Sequence, residues 1–179
     1  MRNLVKMIPV NNNLLVSQTQ VTQGLFEEVA GWNPTHQIRF SPPEPQRCVK
    51  DVSWIWAVLF CNKLSQLEGL EQAYLVDEFA FEEEVWKVKG ANGYRLPTEA
   101  EAKLLVGDAV GHLRLRESLV DVDYHSTNSL GLKGVDGLWE WTNDDADREG
   151  DKIVYSGART GKWFLGGSNA VTFRVVRSR

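Results

Sequence analysis

NGYRLPTEAEAK occupies Asn92–Lys103 and GLWEWTNDD occupies Gly137–Asp145, and these two stretches decide the reading of the fold. In the first, Thr98 follows Pro97 and stands three residues before Glu101. That spacing is a capping box: the threonine hydroxyl accepts a first-turn amide, and the glutamate reaches back to the cap amide. Glu99 adds negative charge where the helix dipole favours it. Ala100, Ala102 and Leu104 are strong helix formers. The pattern predicts a helix that starts after Thr98 and ends near Gly107, and it accounts for Glu99 and Glu101 without catalysis. In the second stretch, Trp139 and Trp141 share one face of a strand and Glu140 takes the other. A paired indole face reads as core, and Asn143–Asp151 reads as a polar loop.

Upstream, LLVSQTQVT (Leu14–Thr22) alternates loosely and predicts an edge strand. Thr22 can cap the following QGLFEEVAG, where Leu25, Phe26 and Val29 share a helical face and Gly31 is a natural stop. Pro34, Pro42, Pro43 and Pro45 exclude regular structure from the next loop. Ser53 is a good cap for a second helix. Trp54, Ala57, Val58, Cys61 and Leu64 make its core stripe, and Gly69 ends it. Between Tyr74 and Val88 the apolar residues, Phe79 and Phe81 among them, predict short strands or a hairpin closed by Ala91–Gly93. Downstream, Lys152–Ser156 and Gly161–Leu165 read as paired short strands and Phe173–Arg177 as a last strand. Many short strands with two main helices define a mixed, irregular α+β domain. It is expected to be a single unit over residues 1–179, a length that can bury a core without staples.

The net charge is −4, with acidic clusters at Asp77–Glu84 and Asp144–Asp151. A broad nucleic-acid interface wants a basic stripe, which this chain lacks. The basic residues Arg174, Arg177 and Arg179 read as a solvated terminus. No apolar stretch is long enough for a membrane-spanning helix. MRNLVKMIPVNNN has no sustained apolar region and no small-residue cleavage site, so no signal peptide is visible. The expected location is cytoplasmic or phage- or particle-associated, although the mature form of an exported protein would look the same. The two cysteines, Cys48 and Cys61, form no CxxC pair, and both read as reduced, with Cys61 a small buried hydrophobe. His36, His112 and His125 are dispersed, with no second histidine at metal spacing.

Taken in order, VTQGLFEEVAGWNP, DVSWIWAVLFCNKLSQLEGLEQAY, NGYRLPTEAEAK, NSLGLKGVDGLWEWTND and FLGGSNAVTFRVVR resemble the formylglycine-generating enzyme and sulfatase-modifying-factor family. The resemblance covers most of the chain and implies a divergent C-type lectin-like fold. It assigns structural roles to Ser53, Trp54, Arg95, Thr98, Glu101, Trp139, Trp141 and Phe173. The departures bear on function. Ala102 replaces the family's tryptophan, Asn169 stands in GGSN where GGSW is usual, Asp136–Gly137 replaces glycine–asparagine, and Thr172 replaces the GFR glycine. The family's long segment between GGS and GFR shrinks to Asn169, Ala170 and Val171. In the cysteine-oxidising members that segment supplies a copper-binding cysteine pair, and neither Cys48 nor Cys61 stands at a matching position. Copper(I) binding and thiol oxidation need soft paired thiolates. The family often carries calcium near the WEW segment, for which Asp136, Glu140, Asn143 and Asp144 are the candidate oxygen donors here. The alternative is an acidic turn packed beside a tryptophan strand, with no cofactor.

These features imply a non-catalytic domain that binds a protein or surface ligand on a C-type lectin-like scaffold. Relatives by resemblance include the variable proteins of diversity-generating retroelements. The corresponding face would draw on Asn143, Asp147, Arg148, Tyr155, Arg159, Trp163 and Asn169, with aromatic and arginine side chains suited to interface hot spots. Two alternatives stay open. One is a metal-dependent oxidoreductase, either a thiol oxidase or an iron-dependent sulfur-transfer enzyme. The other is a structural subunit of a larger assembly, including a homo-oligomer, which exposed apolar surface would favour.

Overall fold

A computed structural model describes residues 3–37, 44–77, 84–108, 121–146, 151–157, 159–164 and 171–179. Helix α1 (Gln23–Ala30) starts where Thr22 accepts the Leu25 amide at 3.2 Å and stops at Gly31, whose φ of 88° suits a left-handed cap. Helix α2 (Trp54–Leu67) starts where the Ser53 hydroxyl accepts the Trp56 amide at 3.3 Å. Its stripe Trp54, Ala57, Val58, Cys61 and Leu64 is buried, as the spacing requires. Helix α3 (Glu99–Leu105) forms both halves of the capping box. The Thr98 hydroxyl accepts the Glu101 amide at 3.1 Å, and Glu101 Oε2 accepts the Thr98 amide at 2.8 Å. Short 3-10 turns lie at Pro34–Gln37 and Val122–Tyr124.

The strands form three sheets. In the first, β1 (Met7–Pro9), β2 (Leu14–Ser17) and β9 (Val176–Ser178) pair antiparallel with β2 in the middle. The expected edge strand at Leu14–Thr22 is therefore shorter and central. Its outer neighbour β1 is only three residues long and ends in proline, too brief for periodicity to reveal. The second sheet is a hairpin of β3 (Tyr74–Asp77) and β4 (Glu84–Lys87). Residues 78–83, Phe79 and Phe81 among them, lie outside the described residues. Ala91–Gly93 does not close the hairpin, because it comes after β4. The third sheet runs β7 (Arg159–Phe164), β6 (Asp151–Ser156), β5 (Trp139–Asp145) and β8 (Val171–Thr172), with β8 parallel to β5.

Two expectations are corrected here. Asn143, Asp144 and Asp145 belong to β5 rather than to a loop, because Asp145 pairs with Lys152 across a register shift. Of the expected last strand Phe173–Arg177 only Val176 and Arg177 are strand, in β9, while β8 ends at Thr172. Between them the backbone crosses to the first sheet: Phe173 O accepts the Val21 amide and Val175 O the Ser17 amide, both at 2.9 Å.

The main core lies between α1, α2 and β5. Phe26 stacks on Phe60 at 5.3 Å, and Phe173 meets Phe60 edge-on at 5.3 Å. Two indoles tie α2 to β5 reciprocally: Trp54 donates to Thr142 O and Trp141 to Val52 O, each at 2.9 Å. In the NGYRLP stretch, Gly93 packs so closely that a Cβ there would run into the Glu71 carbonyl and the Ser65 hydroxyl. Ser65 uses that proximity to accept the Tyr94 amide at 2.8 Å.

Candidate functional site

Glu140 points away from the indole face of β5, and that second face is also inside the protein. Its carboxylate accepts from Arg174 Nε at 2.6 Å and Nη2 at 2.8 Å, from the Tyr155 hydroxyl at 2.8 Å and from Gln20 Nε2 at 2.9 Å. Glu140 and Arg174 are both fully buried. Arg174 donates further to Lys133 O at 3.0 Å. Burial works against the charge on Arg174, and the adjoining Glu140 more than restores it. Burial, and then the Glu140 charge, push the Tyr155 phenol well up. Arg174 is therefore no part of a solvated tail: it closes an internal polar network joining β5, β6 and the start of the last crossing. The sequence signal for this was a charged residue inside each of two apolar strand phrases, WEW and FRVV. Of the other two arginines, Arg177 lies 5.9 Å over the Tyr94 ring and Arg179 is exposed.

The four candidate calcium donors do not gather around one point. Glu140 is occupied by Arg174. Asn143 Oδ1 accepts the Tyr74 hydroxyl at 3.0 Å. Asp144 Oδ2 accepts the Glu99 amide at 2.5 Å, and its Oδ1 is 3.7 Å from Lys87 Nζ. Asp136 is buried and meets the Ser126 hydroxyl at 3.4 Å. Among the described residues no three His, Cys, Asp or Glu side chains converge on a metal position. Calcium needs six or more oxygens turned toward one ion, and each of these four side chains already hydrogen-bonds a protein partner.

The expected ligand-binding face is also rearranged. Asn143 and Tyr155 are 4% and 1% exposed, so both are interior hydrogen-bonding groups and not surface contacts. Arg159 is exposed at the start of β7, and Trp163 lies on the same strand. Asp147, Arg148 and Asn169 lie outside the described residues, as does His112. His36 falls in the first 3-10 turn, and His125 is buried. Cys48 and Cys61 are buried in separate clusters and form no disulfide. Burial pushes the Cys61 thiol up, against a smaller opposing pull from Arg95. A thiol so placed is not poised as a nucleophile or soft metal ligand.

A groove of about 470 Å³ opens to solvent between α1, α2 and β3. Val29 and Ala30 of α1, Trp56, Leu59 and Lys63 of α2, and Leu75 and Val76 of β3 line it. Trp56 is 43% exposed, and its ring stands edge-on to Trp32 at 4.9 Å. Leu75 is 61% exposed and its cross-strand neighbour Trp86 48%. Sequence periodicity could not single out these residues. Trp56 lies off the α2 core stripe, and Leu75 and Trp86 belong to short strands read only as apolar.

This architecture is a C-type lectin-like fold. The chain superposes on Treponema denticola variable protein 1 with a TM-score of 0.78, at 21% identity over 93% of this chain and 84% of that one. CarF gives 0.73 at 24% identity, over 93% and 86% of the two chains. PvdO from Pseudomonas aeruginosa gives 0.64 at 13% identity, over 93% and 80%. In sequence the chain is 34% identical over 158 residues to the chaperone protein LppX of Paenibacillus barcinonensis. That alignment takes in 80% of this chain and 54% of LppX, so the chain spans about half the length of this curated relative. No protein-family model matches the chain. No helix among the described residues is long and apolar enough to cross a membrane.

Proposed function

We propose that this chain is a binding domain that holds a protein partner in the α1–α2–β3 groove without chemical turnover. The observation that carries the reading is the contrast between that groove and the interior. Exposed indole and aliphatic surface lines the groove, whereas Glu140, Arg174, Tyr155 and Cys61 are spent on internal packing and hydrogen bonds. Solvated apolar clusters of this kind mark contact surfaces, with tryptophan the usual anchor. Likeness to a protein named as a chaperone supports contact with another polypeptide. Likeness to a variable protein supports a presented surface, with Arg159 and Trp163 of β7 as a second contact region of the retroelement-diversified type.

Descent from the formylglycine-generating enzyme family rests on the sequence phrases alone. The oxidoreductase alternative would need a ligand set supplied by residues beyond those described. The domain is proposed to work without a cofactor, and a homo-oligomer built on the same groove is the assembly form of the proposal. Its working location is proposed as cytoplasmic or particle-associated.

A photocrosslinking amino acid placed at position 56 in the producing cells tests the reading. A discrete protein adduct is expected there and none from the same probe at position 103, on exposed α3. Equal labelling at both positions, or none at either, would remove the groove as the working surface.

A further inference from the structure

Asn62 of α2 treats β3 as a strand edge. Its side-chain amide donates to Tyr74 O at 2.9 Å, and its Oδ1 accepts the Tyr74 amide at 3.2 Å. Those two bonds are the pair that a residue of a neighbouring strand would make. Tyr74 therefore turns its backbone away from β4, and the pair Tyr74–Lys87 is a non-hydrogen-bonded one. The ladder agrees, since the preceding Ala73 O accepts the Val88 amide at 2.9 Å. By the alternation of an antiparallel pair, Val76, opposite Val85, also turns its N–H and C=O away from β4. They face the side on which Asn62 sits, along the groove lined by Leu59, Trp56 and Val76 itself. So one position of this edge is satisfied by a side chain that imitates a peptide, and the next equivalent position has no such partner among the described residues.

We propose that the β3 edge at Val76 takes up an extended segment of the partner protein as an added strand, so that the groove reads a polypeptide by its backbone. The proposal rests on the groove reading above and specifies how it binds. An added strand would pair with Val76 N–H and C=O, in the manner of strand addition at an exposed sheet edge. Side chains on one face of the segment enter the groove against Trp56 and Leu59. Those on the other lie beside Leu75 and Trp86, which already form an exposed cross-strand pair. Charge adds a constraint. Lys63 is exposed on the groove wall, and among the described residues no carboxylate lines the groove and none pairs with Lys63. The segment is therefore apolar on the face that enters the groove, with β-branched residues on the other and an acidic residue placed for Lys63.

The test uses a capped nine-residue peptide alternating valine and threonine around one glutamate, titrated into the isotopically labelled protein. Two N-methylated forms accompany it, one blocking the amides of each peptide edge. Saturable shifts at Val76, Leu75 and the Asn62 side-chain amide are expected. One methylated form should lose at least tenfold in affinity, and the other should bind like the parent. Val76→Pro should lose at least tenfold while amide exchange in the β3–β4 ladder stays protected, because the deleted N–H is not a ladder donor. Should that variant fold poorly, Lys63→Glu supplies the alternative: it weakens the parent peptide several-fold and is rescued by a peptide carrying lysine in place of glutamate. Equal binding by both methylated forms, or by Val76→Pro, would overturn strand addition and leave the groove reading standing. Dimerisation of the chain through this edge would replace the partner segment with a second copy. Absence of binding by every peptide would overturn the inference, and the crosslinking result would then judge the groove on its own.

Discussion

Glu140 and Arg174 are the residues on which the internal order of the molecule turns. A buried ion pair need not stabilise more than an apolar pair would, but removing one partner strands the other charge in the interior. Arg174→Met should therefore cost about 3–5 kcal/mol, read as a lower urea midpoint. Pairing it with Glu140→Leu should recover much of the loss. An additive double variant would show that the two side chains do not act together. Buried acids set a second expectation. Burial pushes the Cys61 thiol and the Tyr74 and Tyr155 phenols up, so the folded protein keeps protons that the unfolded chain releases. Their contribution is complete below the unfolded thiol value of about 8.5. It is lost as pH rises through the higher folded values. Urea midpoints should fall progressively above about pH 9, and Cys61 should resist alkylation at neutral pH until the protein unfolds.

At the scale of the element, α3 shows how much a cap can carry. Thr98→Ala should cost about 1 kcal/mol, measured by denaturation. Glu101 does more than cap. It also takes a two-pronged ion pair from Arg95, at 2.6 and 2.7 Å, and Arg95 in turn pairs by its backbone with Val176 of β9. Burial alone would raise the Glu101 carboxyl, but the Arg95 and Thr98 hydrogen bonds together hold it below its ordinary value. A lowered folded value means stability present above the unfolded value of about 4.3 and lost as pH falls through the folded one. Glu101→Gln should reduce stability at neutral pH and flatten the acid limb of the pH profile. An unchanged acid limb would place that loss on other carboxylates. The start of α3 was legible in TEAE because a cap is local. The partnership of Arg95 with Glu101 was not, since it depends on the backbone path from Tyr94 into Thr98.

At the scale of the whole molecule, the donor sets that sequence proposed are pulled apart and new ones are made. Asp136, Glu140, Asn143 and Asp144 are near in sequence but serve separate partners, so calcium or a chelator should leave the melting temperature unchanged. A calcium-dependent rise would show that they regroup around an ion. Asn143 and Tyr155, read as contact residues, are interior, while Trp56, Leu75 and Trp86 from different elements share the exposed apolar surface. The polar network of Gln20, Glu140, Tyr155 and Arg174 likewise draws on positions spread over most of the chain.

Helix starts and stops, the core stripe of α2 and the inward indole of Trp141 follow from the sequence by itself, because each depends on neighbours within a turn or on strict periodicity. The tertiary structure alone decided that Glu140 and Arg174 meet, that β2 is central, and that Asn62 and Val76 lie on one strand edge beside an apolar groove. Those outcomes depend on which distant segments pair and in what register, and a one-residue change of register sends every side chain of a strand to the opposite face.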